Sequence, residues 1–197
     1  MTKGQKRREE ILDVAKEITI NEGYNSLTFR KIAERLSITH GNLQYYYPTK
    51  NDLFRAIMDR ELTKFTESLK LSVTAASSKR GSLDAIIQSA YDLMKKPDRI
   101  LWQTLCVQAN HNTELADILK RENEQYCKSL ENELKMIAPH LSDLRLNHIS
   151  KIVNALLDGL GVQLTYEDHD GFEMNALISE IRILLFLLLE ENDDITH

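Results

Sequence analysis

The sequence predicts an all-α protein with a three-helix head and a larger helical body, about nine helices in all. Three observations carry that expectation. Apolar residues recur at helical spacing along most of the chain, and no stretch alternates with period two for long enough to form a strand. The 197 residues also include only seven Gly and three Pro, too few for a loop-rich sandwich, a collagenous chain or a disordered linker.

The first helix is expected over residues 6–22, where Ile11, Val14, Ala15 and Ile18 repeat on one face and Gly23 can end it. Thr28 is a good cap for a short helix over 29–36, and the turn Ser37-Ile38-Thr39 leads into a third over 40–46. Pro48 ends that helix, because its ring disfavours the α conformation at Tyr47. Thr49 and Asp52 have the spacing of a capping box for a fourth helix, which Leu53, Phe54, Ile57 and Leu62 carry to residue 73. Residues 75–81 are small and polar, the best linker candidate. Helices over 82–96, 97–110, 113–137, 142–166 and 172–191 complete the body, with Pro97 at a first turn where its missing N–H costs nothing.

Charge and composition narrow the function. The net charge of −5 conceals a split: residues 1–50 hold nine Lys/Arg against six Asp/Glu, while the remainder is strongly acidic. A basic head on an acidic body points to a polyanion met by the head alone, with chance scatter as the plain alternative. Two cysteines, Cys106 and Cys127, cannot build a disulfide framework and suit a reducing compartment. The longest run without a polar residue, 183–189, is far below the ~20 residues that span a bilayer. The N-terminus has no apolar core for a signal peptide, so a cytoplasmic protein without a membrane partner is expected. His111, His140, His148 and His169 share no close helical spacing, and neither a metal nor another cofactor is expected.

Two short helices joined by a tight turn describe a helix-turn-helix, whose second helix enters the DNA major groove. Ile32, Ala33, Leu36, Ile38 and Leu43 would knit the pair to the first helix. His40, Gly41, Asn42, Gln44, Tyr45 and Tyr46 would then face outward, rich in hydrogen-bonding groups and free of acid. Asn and Gln pair bidentately with adenine, each good pair discriminating by ~1–3 kcal/mol. Thr28, Arg30 and Lys50 would sit where the chain meets phosphates. Nothing in the segment suggests catalysis.

Thr28, Arg30, Ile32, Ala33, Gly41, Leu43, Tyr46, Tyr47, Lys50 and Leu53 together resemble the DNA-binding domain of TetR-type (TetR/AcrR) regulators, without a gap, over about residues 8–60. The resemblance implies that Thr28, Tyr46 and Lys50 hold the phosphate backbone. It places Arg30, His40, Gly41, Asn42 and Tyr45 near base edges, with Thr39 in the same DNA-facing set. Two positions depart from the family pattern. Ser37 stands where glycine is frequent, which a turn without positive φ would accommodate. Gln44 stands where a phosphate-binding Tyr is common, leaving an amide suited to a base. Tyr47 reads better as core, and His40 as either a base contact or a solvated turn residue.

In the body, Leu156, Leu160 and Leu164 lie on a broad apolar face, and the last helix, with Ile181, Leu185 and Leu188, is apolar nearly all round. A helix of that kind must be covered on most sides, which a partner's matching pair would do as a four-helix bundle. Gly159 and Gly161 would permit close approach there or merely weaken the helix. Tyr91, Met94, Trp102, Gln103, Cys106, Asn110 and His111 offer the aromatic, soft and amide groups of a small-molecule pocket, although ordinary core packing explains each as well. Residues 102–115 also look similar to the choline-responsive branch of the family, where aromatics would hold a quaternary ammonium.

The expected organisation is therefore a DNA-binding domain over 1–50 and a regulatory domain over 51–197. The latter divides into a connecting helix (51–75), the ligand pocket (82–140) and dimerisation helices (142–191). The function expected is a ligand-responsive regulator, a repressor, binding a palindromic double-stranded DNA operator as a homodimer and released by a small-molecule effector. A helical small-molecule carrier or a protein-interaction adaptor is the alternative.

Overall fold

A computed structural model describes residues 2–94, 98–163 and 171–190. Pro97, Leu164, His169 and the helix ends expected at 96, 166 and 191 lie outside the described residues, as do the side chains of Met94 and Phe172. The described residues form nine helices and no strand. In order they are α1 (Lys3–Glu22), α2 (Phe29–Leu36), α3 (His40–Tyr46), α4 (Lys50–Ala75), α5 (Lys79–Met94), α6 (Asp98–Ala109), α7 (Thr113–Ile137), α8 (Asp143–Gln163) and α9 (Gly171–Glu190), with a 3-10 turn at Tyr24–Ser26 after α1.

Caps set the boundaries. Thr28 Oγ1 accepts from Lys31 N at 3.3 Å and Thr39 Oγ1 from Asn42 N at 3.2 Å, starting α2 and α3 where expected. Thr49 and Asp52 cap α4 reciprocally: Asp52 N donates to Thr49 Oγ1 at 3.0 Å, and Thr49 N to Asp52 Oδ2 at 3.2 Å. α1 starts at Lys3, three residues earlier than expected, because Thr2 and Gln5 form a capping box of their own. α5 likewise starts at Lys79, since Ser78 receives Gly81 N at 3.1 Å on its hydroxyl and Ser82 N at 2.9 Å on its carbonyl.

The turn between α2 and α3 corrects one expectation. Ser37 does take positive φ, at 53°, in the left-handed region that glycine normally fills. Its N–H and that of Ile38 close the end of α2 by bonding Glu34 O (3.3 Å) and Ala33 O (3.0 Å), which requires this reversal of the chain.

The chain forms two compact units. The first comprises Met1–Thr63 and Lys96–Glu122. Its core is built from Ile11, Ala15 and Ile18 of α1, Ile32 of α2, Leu43 of α3, Leu53, Phe54 and Ile57 of α4, and Leu101 and Leu105 of α6. Charged ties fasten the rim. Arg60 Nη1 reaches Asp13 Oδ1 at 2.8 Å and Glu9 Oε2 at 3.1 Å, and Lys16 Nζ reaches Glu61 Oε2 at 2.7 Å, so α4 is bonded to α1 at several points.

The second unit comprises Lys64–Lys95 and Asn123–His197. Here α5, α8 and α9 pack on one another, burying Leu83, Ile86 and Ile87 with Ile149, Val153 and Leu157 and with Ile178, Leu185 and Leu189. Arg182 Nε lies 2.5 Å from Asp84 Oδ1, tying α9 to α5. No helix among the described residues is long and apolar enough to cross a membrane.

Candidate nucleic-acid interface

α3 has only seven residues, too short to hold its shape alone, so its frame matters. Leu43 is fully buried and Tyr47, just past the helix, nearly so; these two anchor it to the core of the first unit. Ile32 and Ala33 of α2 are buried beside them, with Leu36 and Ile38 half-buried. The cap Thr39 and His40, Gly41, Asn42, Gln44 and Tyr45 of α3 are exposed, while Tyr46 is half-buried against the core. Tyr45 is 80% exposed, an unusual state for so large a ring and one that suits a contact surface.

The rings around α3 are ordered. His40 packs against Phe29 with centroids 5.5 Å apart, and Tyr45 meets Tyr46 edge to face at 5.3 Å. The Arg8 guanidinium of α1 lies over both Tyr46 (5.5 Å) and Tyr47 (6.0 Å), a placement that sequence reasoning missed. Only the basic character of the N-terminus hinted at it. A Cβ at Gly41 would meet nothing within 4 Å, so the protein itself does not require glycine there.

Cations near α3 differ in how firmly they are held. Lys31 pairs with Glu22, and Arg35 reaches Glu22 at 2.6 Å and Glu17 at 2.9 Å, joining α2 to α1. The hydrogen bond from Lys31, aided by the charges of Lys31 and Arg35, holds the Glu22 carboxyl below its usual range. Arg30 is 88% exposed in its side chain and has only a loose 3.5 Å pair with Glu34. Lys50 is half-buried: Nζ donates to the Tyr24 carbonyl at 2.6 Å and sits 3.7 Å from the Tyr24 ring centroid. Burial pushes its amine below the ordinary lysine range. Tyr24 Oη in turn donates to Asn51 Oδ1 at 3.1 Å, and Asn51 donates to Glu114.

The other candidates fall as follows. Trp102, Gln103 and Cys106 of α6 are half-buried in the first unit, and Trp102 packs against its core; Asn110 and His111, also in that unit, are exposed. Tyr91, half-buried on α5, belongs to the second unit. Within that unit Leu160 and Leu185 are buried inside the protomer, where they serve its own core, while Ile181 and Leu188 are half-buried. Leu156 remains exposed together with Ile152 of α8 and Leu177, Ile183, Leu184 and Leu187 of α9. Gly159 is open, with no close neighbour inside the protomer. No group of three or more His, Cys, Asp or Glu able to hold a metal ion occurs among the described residues.

Comparison with known proteins settles the family. Residues 11–57 match the bacterial regulatory proteins of the tetR family, and residues 79–182 match the C-terminal region of BetI-type transcriptional repressors. The chain belongs to the TetR family. This TetR-family protein is 40% identical over 63 residues to the transcriptional regulator QacR of Staphylococcus aureus, a match that covers 32% of the chain and 34% of QacR. It is 25% identical over 158 residues to the regulator BetI of Serratia proteamaculans, covering 78% of each. A transcriptional regulator from Saccharomonospora viridis, solved in complex with choline, shares the fold with a TM-score of 0.71 at 18% identity, covering 95% of this chain and 97% of its own. The TetR-family chain is thus a helix-turn-helix transcription regulator with a BetI-type C-terminal region, and α2 and α3 are its helix-turn-helix.

Proposed function

We propose that the chain is a cytoplasmic, effector-responsive repressor that binds a palindromic operator as a homodimer. The observation that carries DNA reading is the polar, acid-free outer face of α3, braced by Leu43 and Tyr47. Asn42 and Gln44 would read base edges, with Arg30, His40, Gly41 and Tyr45 beside them. Thr28, Thr39, Tyr46 and Lys50 would position the duplex backbone. Residues 1–50 act as the reading head and 51–197 as the regulatory part.

Two heads must reach grooves about 34–36 Å apart, one helical turn. The exposed Ile152 and Leu156 of α8 and Leu177 and Leu184 of α9 favour pairing through these helices, since water-facing apolar surface of this extent is costly in a free protomer. The effector would be a small organic cation of the kind bound in the choline complex, with Trp102, Gln103 and Cys106 in its reach. Its binding would shift α4 and, through Arg60 on Glu9 and Asp13, the helix α1 that supports α3. A tenfold loss of operator affinity needs only ~1.4 kcal/mol of difference between the two states.

The test is to sequence genomic fragments retained by the purified chain, then titrate choline into the complex. The expected fragments share a two-fold repeat with half-sites one turn apart, bind with steep salt dependence, and are released as Trp102 fluorescence, the emission of the single tryptophan, changes. Retention of unrelated fragments overturns the operator reading; a shared repeat unaffected by choline overturns the effector alone.

A further inference from the structure

The second unit holds a cleft of about 370 Å³ between α4 and α7 that the DNA-binding reading does not use. Its inner wall is Glu133, buried to 5% exposure, flanked by the half-buried Thr66 and Ser129. Its rim is exposed and mostly polar, with Glu67, Lys70 and Asn132 beside the one apolar side chain Met136. The Glu133 Oε2 atom is buried without a hydrogen-bond partner among the described residues. A carboxylate in that state is costly, because burial removes water from this oxygen and no hydrogen bond takes its place. Burial accordingly raises the Glu133 carboxyl above its usual range, and the Lys70 charge offsets this only in part.

We propose that this cleft binds a small organic ammonium ion carrying neighbouring hydroxyl groups, with the Glu133 carboxylate as its anchor. An ammonium supplies both the charge and the N–H donors that Glu133 lacks. Ser129 and Asn132 supply a hydroxyl and an amide for ligand hydroxyls to meet. Among the described residues no aromatic side chain lines the cleft, so it has no platform for a quaternary ammonium, and its ligand differs from the effector proposed above. Its volume lies at the small end of the roughly 300–1,000 Å³ typical of ligand sites, enough for a single sugar-sized ring. Lys70, a like charge on the rim, weakens the site without blocking it.

Calorimetry on the full chain with glucosamine as the probe, and glucose as its uncharged counterpart, tests the assignment without involving DNA. Saturable glucosamine binding, at least about tenfold tighter than glucose, is expected, with a similar loss in Glu133→Gln. The surface variant Lys70→Met should bind more tightly than the wild type, and keeps the test valid should Glu133→Gln fail to fold. Absence of saturation in the millimolar range, equal binding of glucose, undiminished binding by folded Glu133→Gln, or no gain in Lys70→Met overturns the proposal.

Discussion

Lys50 is held twice by one residue: its ammonium donates to the Tyr24 carbonyl at 2.6 Å and lies 3.7 Å from the Tyr24 ring centroid. The charge at the start of α4 is thereby placed rather than swept through solvent, which lowers the entropy lost when a phosphate approaches. Lys50→Ala should weaken binding to all duplexes about equally and reduce the slope of log affinity against log salt by about one. Tyr24→Ala should produce part of that loss, whereas Tyr24→Phe, which keeps ring and carbonyl, should produce almost none. Gel-shift titrations over a salt series separate the three. Equal losses in Tyr24→Phe and Tyr24→Ala would show that the clamp is irrelevant.

Gly41 is retained within a helix although a Cβ there would touch nothing in the protein. Gly41 is the second residue of α3, and the cost of glycine relative to alanine, roughly 0.8–1 kcal/mol in a helix interior, is smaller in the first turn. Gly41→Ala is therefore expected to raise the urea midpoint slightly while weakening operator binding, since the added methyl stands on the exposed face proposed to meet DNA. A variant that gains stability and keeps full affinity would remove Gly41 from the contact surface.

Ser37 carries the left-handed turn between α2 and α3 at a cost of about 1–2 kcal/mol that glycine avoids. After allowing for the greater freedom of glycine in the unfolded chain, Ser37→Gly should stabilise by ~0.5–1 kcal/mol in chemical denaturation. Ser37→Val should destabilise and reduce DNA binding together.

Acid should loosen the α1–α2 contact through Glu22. Its carboxyl is lowered in the folded state from an ordinary value of 4.5, chiefly by the hydrogen bond from Lys31. The contribution is complete above that ordinary value and disappears as pH falls through the lowered one. Stability profiles of wild type and Glu22→Gln should differ most at neutral pH and converge in acid. A gap that widens in acid would contradict the assignment.

Neighbouring leucines on α9 should behave oppositely. Leu185 is 1% exposed and Leu184 41%. Leu185→Asp places a charge in the protomer's core and should unfold it. Leu184→Asp should leave a folded monomer by sedimentation velocity and circular dichroism. Persistent dimers of Leu184→Asp and of Leu156→Asp would move the interface elsewhere.

The head was readable because its signals are local. Thr28, Thr39, Thr49 and Pro48 mark boundaries within a residue or two of where they act, and Leu43 and Tyr47 follow from helical spacing. The early start of α1 was hidden because the Thr2–Gln5 box precedes any apolar periodicity. Contacts between distant positions left no pattern to read: the Tyr24 carbonyl beneath Lys50 and Arg8 over Tyr46 depend on how helices meet. The same holds for the body, where spacing placed Leu160 and Leu185 on apolar faces but did not show that the protomer itself would cover them.

Five of the nine basic side chains before residue 51 (Arg7, Lys16, Arg30, Lys31 and Arg35) sit beside a carboxylate of their own unit. A duplex of arbitrary sequence would therefore meet only the excess of nine cations over six carboxylates, so the sequence-independent part of the attraction is smaller than the count of basic residues suggests. On the operator reading, such a head would leave random stretches of duplex sooner than its full complement of basic residues implies. Residence would then come largely from fit at the correct bases, so on the operator reading a modest loss of fit would be enough to release the protein.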